Sequence, residues 1–311
     1  MTQSPTTSRA RAAAARRVSP SQPPQRVGAW ELVELAAEGS LARVYRARPA
    51  DAGADHACAY ALKMLRPEWE GDPQAIRLLA REAEVGRSLS HPHVVAVLGA
   101  GLRHEPPFVV MPWLDGSTLQ AHLAAGRRIE VPAALWIARQ VAEALDALHR
   151  AGWTHGDVKP ENILLSPEMH VTLLDLAFAR RHDEIGSAVD RCVIGTCHYI
   201  APEWITSALR PDVRSDIYSL GVVLFEVFSG RLPFQGRDLA ELATQHRQVT
   251  PPDLQSLAPH LPEEVVALVR GMLSKEPLRR PQSPRELIEK LTELEIATFG
   301  EWVLGEVVSA D

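Results

Sequence analysis

The chain has 311 residues, 46% apolar and 23% charged, which fits two domains or one two-lobed unit and excludes a disordered or collagen-like chain. Its net charge is −6, but residues 1–27 carry five arginines and no acid, so the remainder sets 28 basic against 39 acidic residues and stands at −11. That acidic body argues against nucleic acid as a partner, and three cysteines are too few for a multi-bridge framework, so a reducing, cytoplasmic setting is expected.

Residues 1–27 resemble a transit peptide in composition, but Pro5, Pro20, Pro23 and Pro24 favour a disordered basic tail. From Ala29 the pattern predicts strands at AWELVELA, ARVYRARP and CAYALKML, with PADAGADHA as a loop. Residues 73–89 have helical spacing after an Asp-Pro start. VVAVLGAG and PFVVMPWL read as two more strands. After Gly116 the character changes. VPAALWIARQVAEALDALHRAG is a long helix, NILL and VTLLDL are short apolar runs, and an irregular segment spans Ala177–Ala201. Helical patterns return at 213–229, 237–247, 262–273 and 283–294. The most apolar stretch, Ile217–Phe228, is too short for a bilayer and carries Glu226, so a buried helix and no membrane partner are expected.

The densest polar cluster is His155-Gly156-Asp157-Val158-Lys159-Pro160-Glu161-Asn162, set between the long helix and an apolar run. Asp175 follows at the end of VTLLD. An acid leaving a buried strand, near Asn162 and a second aspartate, offers oxygen ligands to a hard cation such as Mg²⁺. Asp157 would then be a free carboxylate able to accept a hydroxyl proton, with Lys159 to neutralise a moving phosphoryl group.

In this order the residues resemble the protein kinases, specifically the eukaryotic-type (Hanks-type) serine/threonine kinases of bacteria, over residues 29–294. The resemblance implies an α+β, two-lobed fold: a β-rich N-lobe over 28–112, a hinge at 112–116, a mostly helical C-lobe over 117–294, and a C-terminal extension over 295–311. It implies ATP and Mg²⁺ as cofactors and protein serine or threonine side chains as acceptors. Lys63 in AYALKML would bind the α and β phosphates and pair with Glu82. Asp157 would be the catalytic base beside Lys159, Asn162 and Asp175 the metal ligands. Ala37, Gly39, Val44 and Ala61 would surround the nucleotide. Met111 would be the gatekeeper, and the backbone of Pro112 and Leu114 would bond the base. Ala201-Pro202-Glu203 matches the APE tripeptide, Arg280 the arginine that pairs with its glutamate, and Asp216 the acid that braces the catalytic loop.

Four departures stand out. The glycine-rich loop keeps only Gly39 in Ala37-Glu38-Gly39-Ser40-Leu41-Ala42-Arg43-Val44. Gly156 stands where most protein kinases have an arginine that receives an activation-segment phosphate. Asp175-Leu176-Ala177 replaces DFG, with Leu176 able to fill the apolar role of Phe. HGD followed by Asn162 also resembles the aminoglycoside and choline phosphotransferases, so a small-molecule kinase is an alternative, as is a pseudokinase scaffold. Lys159, Thr196 and Arg280 favour a protein kinase. Ser187–Val193 lacks threonine, and Asp190 occupies a usual phosphosite position, so activity independent of activation-segment phosphorylation is expected. Cys192 and Cys197 lie in the same segment and read as plain reduced thiols. The extension would cover the helical lobe or bind a partner.

Overall fold

The computed structural model of the protein describes residues 25–53, 56–184, 197–205 and 211–308, with backbone alone for 25 and 300–308. Six antiparallel strands open the chain: β1 (Gln25–Val27), β2 (Trp30–Glu38), β3 (Ala42–Pro49), β4 (Tyr60–Leu65), β5 (Gly99–Gly101) and β6 (Phe108–Pro112), in the order β1-β2-β3-β4-β6-β5. Period-two alternation sorts β4 onto two faces. Leu62 and Met64 pack with Val27, Leu32, Ala47, Phe108 and Val110, while Ala61 and Leu65 join the core that continues into the second lobe. Lys63 has the parity of Ala61 and Leu65, so the pleat alone turns it inward.

Against that face lies α1 (Pro73–Ser88). Asp72 caps it by accepting the N–H groups of Gln74 and Ala75, and Pro73 supplies a fixed φ at the first helical position. The helix buries Ala75, Leu79, Glu82, Ala83, Val85 and Gly86.

The second lobe is helical, with α2 (Leu119–Ala124), α3 (Val131–Arg150), α4 (Pro202–Ile205), α5 (Val213–Ser229), α6 (Leu239–Gln248), α7 (Leu254–Leu257), α8 (Glu263–Met272) and α9 (Pro284–Val308). Short strands sit between α3 and α4: β8 (Trp153–Thr154), β9 (Ile163–Leu165), β10 (Val171–Leu173) and β11 (Arg180–Arg181). β7 (Ser117–Thr118) and β10 flank β9, and β11 pairs with β8. β7 approaches β9 so closely that a Cβ on Gly116 would lie 2.2 Å from the carbonyl oxygen of Leu165. Helix α5 is buried nearly all round, including Tyr218 and Phe225, which is why its sequence is apolar without being a membrane span. No helix among the described residues is long and apolar enough to cross a membrane.

The two-lobed α+β expectation holds, with three differences in detail. Residues 25–27, within the segment assigned to the tail, form β1 and pair with β2. The strand expected over VVAVLGAG shrinks to Gly99–Gly101, because the chain at 93–95 turns its peptide groups to the other lobe. Val95 N–H donates to Leu173 (3.0 Å) and Leu173 N–H to the His93 carbonyl (2.9 Å). Finally, the last helix does not end at 294. It runs on to Val308, and Arg139 of α3 donates to Glu295 at 2.9 Å, so the extension begins by covering the helical lobe.

The C-lobe is pinned by a buried ion pair. Arg280 donates to Glu203 through two nitrogens at 2.6 and 2.8 Å, and both side chains are at most 2% exposed. Ser215 donates to the same carboxylate at 2.7 Å, and Arg280 also reaches the carbonyls of Arg214 and Ser274. Removing one partner leaves an uncompensated buried charge. Arg280→Ala should lower unfolding stability by about 3–5 kcal/mol, read by urea titration.

Candidate active site

The site forms where β4, α1 and the two short loops around β9 and β10 meet. Lys63 Nζ lies 2.8 Å from Glu82 Oε2 on α1 and 2.8 Å from Asp175 Oδ1. One ammonium thus joins the N-lobe sheet, the N-lobe helix and the C-lobe. Burial alone would discharge Lys63, but Asp175 and Glu82 outweigh it and hold the ammonium above the usual lysine range. Burial also opposes the charge on Asp175, yet Lys63 and Lys159 keep that carboxyl below its ordinary value. At Glu82 burial wins and pushes the carboxyl up, against the pull of Lys63.

Asp175 has φ +61°, in the left-handed region that non-glycine residues avoid. Leu174 before it is held by donation to the Asn162 carbonyl (2.8 Å), and Leu176 after it is fully buried in the main core. Packing on both sides therefore holds the strained residue in place. Leu176 fills an apolar socket, as expected for a leucine in the phenylalanine position.

The loop after β8 is held from below. Asp216, buried at the start of α5, accepts the N–H of His155 at 2.8 Å and of Gly156 at 2.7 Å. Gly156 takes φ +80°, which glycine adopts without steric cost. The buried His155 ring accepts Asp157 N–H at Nδ1 (3.1 Å), so its Nε2 is the nitrogen that donates to the Leu174 carbonyl (3.0 Å). Asn162 donates to the Asp157 carbonyl and carboxylate at 2.8 and 2.9 Å. Lys159 Nζ is 2.8 Å from Asp157 Oδ2, and Asp157 holds its ammonium up against burial.

The other residues expected around the nucleotide are neighbours in the N-lobe sheet. Val44 pairs with Ala37 and Lys63, and Ala61 pairs with Met111. Val44, Ala61 and Met111 all belong to the core facing α1. Beyond Met111, the Trp113 N–H is used by the Ala59 carbonyl at 2.8 Å. Among the described residues no backbone hydrogen bond outside helices and strands engages Leu114. The glycine-poor β2–β3 turn is braced, with Gly39 N–H donating to the Ala42 carbonyl at 2.9 Å. Arg66 donates to the Gly39 carbonyl at 3.1 Å and Trp69 Nε1 to the Ser40 carbonyl at 3.0 Å. Sequence reasoning missed Arg66 and Trp69, which follow β4 without any motif of their own. It also missed Arg81 and Glu184, discussed below. Thr196, Ser187, Asp190 and Cys192 lie outside the described residues.

The chain is 30% identical over 260 residues to serine/threonine-protein kinase PrkC of Bacillus subtilis, an alignment covering 84% of this chain and 39% of the relative. It is 33% identical over 264 residues to serine/threonine-protein kinase PknB of Mycobacterium tuberculosis, covering 83% and 41%. A probable serine/threonine-protein kinase of Streptomyces coelicolor is 34% identical over 271 residues, covering 85% and 40%. The chain thus spans about two fifths of the length of the curated relatives it matches. The family model described as the protein kinase domain matches residues 30–291, through both lobes, and the chain belongs to the protein kinase family.

Proposed function

We propose that the chain transfers the γ-phosphoryl group of ATP to serine or threonine hydroxyls of proteins. The observation that carries this reading is the Lys63 ammonium held 2.8 Å from both Glu82 and Asp175, since phosphoryl transfer rests on placed charge rather than covalent chemistry. In this reading Glu82 aims Lys63 at the α and β phosphates. Asp157 orients the attacking hydroxyl and accepts its proton, and Lys159 beside it offsets charge on the group in transit. Ala37, Gly39, Val44, Ala61 and Met111 enclose the nucleotide. The Pro112 carbonyl and the Leu114 backbone take the base edge.

Mg²⁺ fits the donors at hand. Asp175 offers a carboxylate, and Asn162 a carbonyl oxygen, its NH₂ group being used on Asp157. When bound, the ion neutralises charge on the β and γ phosphates. Gly156 carries no guanidinium to read a phosphate, so turnover is proposed to be independent of phosphorylation within the activation segment.

The test offers γ-labelled ATP to the unaltered chain and to Asp157→Asn and Asp175→Asn, with mixed proteins and with a panel of aminoglycosides and choline as acceptors. Label should appear on protein, and either substitution should cut the rate by about 10²-fold or more while the chain still folds. Label on small molecules alone would make the chain a small-molecule phosphotransferase. No label anywhere would make it a scaffold.

A further inference from the structure

Arg81 precedes Glu82 on α1, and one residue along a helix turns a side chain by about 100°. Glu82 therefore faces Lys63 while Arg81 faces elsewhere, toward the segment that leaves Asp175. There its guanidinium meets Glu184 in a two-pronged contact. Nη1 donates to Glu184 Oε2 at 2.7 Å and Nη2 to Oε1 at 2.6 Å. Nη1 also donates to the Ala179 carbonyl at 3.1 Å. Glu184 is set for this by its own neighbour, because the Arg181 N–H donates to Oε2 at 3.3 Å.

The contact reaches the catalytic loop. β11 pairs with β8, with Arg181 opposite Trp153. The guanidinium of Arg81 lies 5.2 Å from the centre of the buried Trp153 ring and that of Arg181 lies 4.9 Å away. Trp153 is two residues before His155. The competing partner is weaker. Glu84 approaches Arg81 at a single nitrogen, 3.6 Å away, and is half exposed.

Helix α1 is thus fixed at two points, inward by Glu82 on Lys63 within its own lobe and outward by Arg81 on Glu184 of the second lobe. Both contacts form in one position of the helix. A carboxylate meets a guanidinium with the same paired geometry that a phosphate would.

We propose that Glu184 is a positioning residue whose fixed carboxylate, gripped by Arg81, docks α1 against the segment after Asp175 and so keeps Glu82 on Lys63 without a phosphate. This rests on the reading of the chain as a protein kinase, and it supplies the device that lets such a kinase dispense with activation-segment phosphorylation. The pair is partly exposed, with Arg81 at 25% and Glu184 at 34%, so its contribution to global stability is small and its effect falls on helix position.

The experiment compares the unaltered chain with Glu184→Ala, Arg81→Ala and the double variant. It reads steady-state kinetics, thermal midpoint and hydrogen exchange of the α1 amides. Each single variant should lose about tenfold or more in kcat. Exchange over residues 79–86 should quicken, while the thermal midpoint moves by no more than about 2 °C. The double variant should lose no more than Arg81→Ala, because that substitution already removes the contact with Glu184. Phosphatase treatment of the unaltered chain should leave α1 exchange unchanged. The proposal is overturned if Glu184→Ala leaves kcat and α1 exchange as they were, or if phosphatase alone loosens α1. If the unaltered chain transfers no phosphate, the kinase reading falls, and the exchange measurement still decides whether Glu184 holds the helix.

Discussion

Everything in the site turns on a buried ammonium shared by two carboxylates. Lys63 comes from a strand, Glu82 from a helix of the same lobe and Asp175 from the other lobe, and all three meet within 2.8 Å contacts. At an effective dielectric near 20, such a contact carries roughly 6 kcal/mol of Coulomb attraction, which opposes the desolvation of the lysine. Asp157 and Asp175 each sit beside an ammonium group, Lys159 and Lys63 respectively, so neither carboxylate is left unpaired.

The rest of the molecule keeps these groups from drifting. Asp216 holds the loop after β8 through two backbone N–H groups rather than through side chains, which leaves Asp157, Lys159 and Asn162 to bond one another. Helix α5, which carries Asp216, is in turn locked by the Glu203–Arg280 pair through Ser215 and the Arg214 carbonyl. In the N-lobe, Arg66 and Trp69 grip the carbonyls of a turn that has lost most of its glycines. Fewer glycines remove backbone freedom, and those two side chains fix what remains.

Much of this was legible in the residues. The inward face of Lys63 follows from strand parity, and the long helices α3 and α5 follow from apolar spacing. The ordered set Lys63, Glu82, Asp157, Asn162 and Asp175 pointed to the two-lobed fold through its resemblance, and the structure brings those five together. What escaped has physical causes. β1 is three residues long, inside a proline-rich and arginine-rich stretch, and exists only because β2 offers it an edge. Val94 and Val95 look like a strand in any window, but Leu173, nearly eighty residues on, takes their peptide groups. The left-handed backbone at Asp175 is imposed by packing around it, since aspartate by itself prefers other regions. Arg81 and Glu184 are 103 residues apart, and no period or motif links an arginine on one helix to one of two adjacent acids in an irregular segment.

The most direct test of the account is to substitute its hub while measuring nucleotide binding and phosphoryl transfer separately. Lys63→Met removes the ammonium and keeps the apolar stem. The account predicts that the variant still folds and binds Mg-ATP, and that its transfer rate from γ-labelled ATP to protein falls by about 10²–10³-fold. Transfer by Lys63→Met at the rate of the unaltered chain would contradict it.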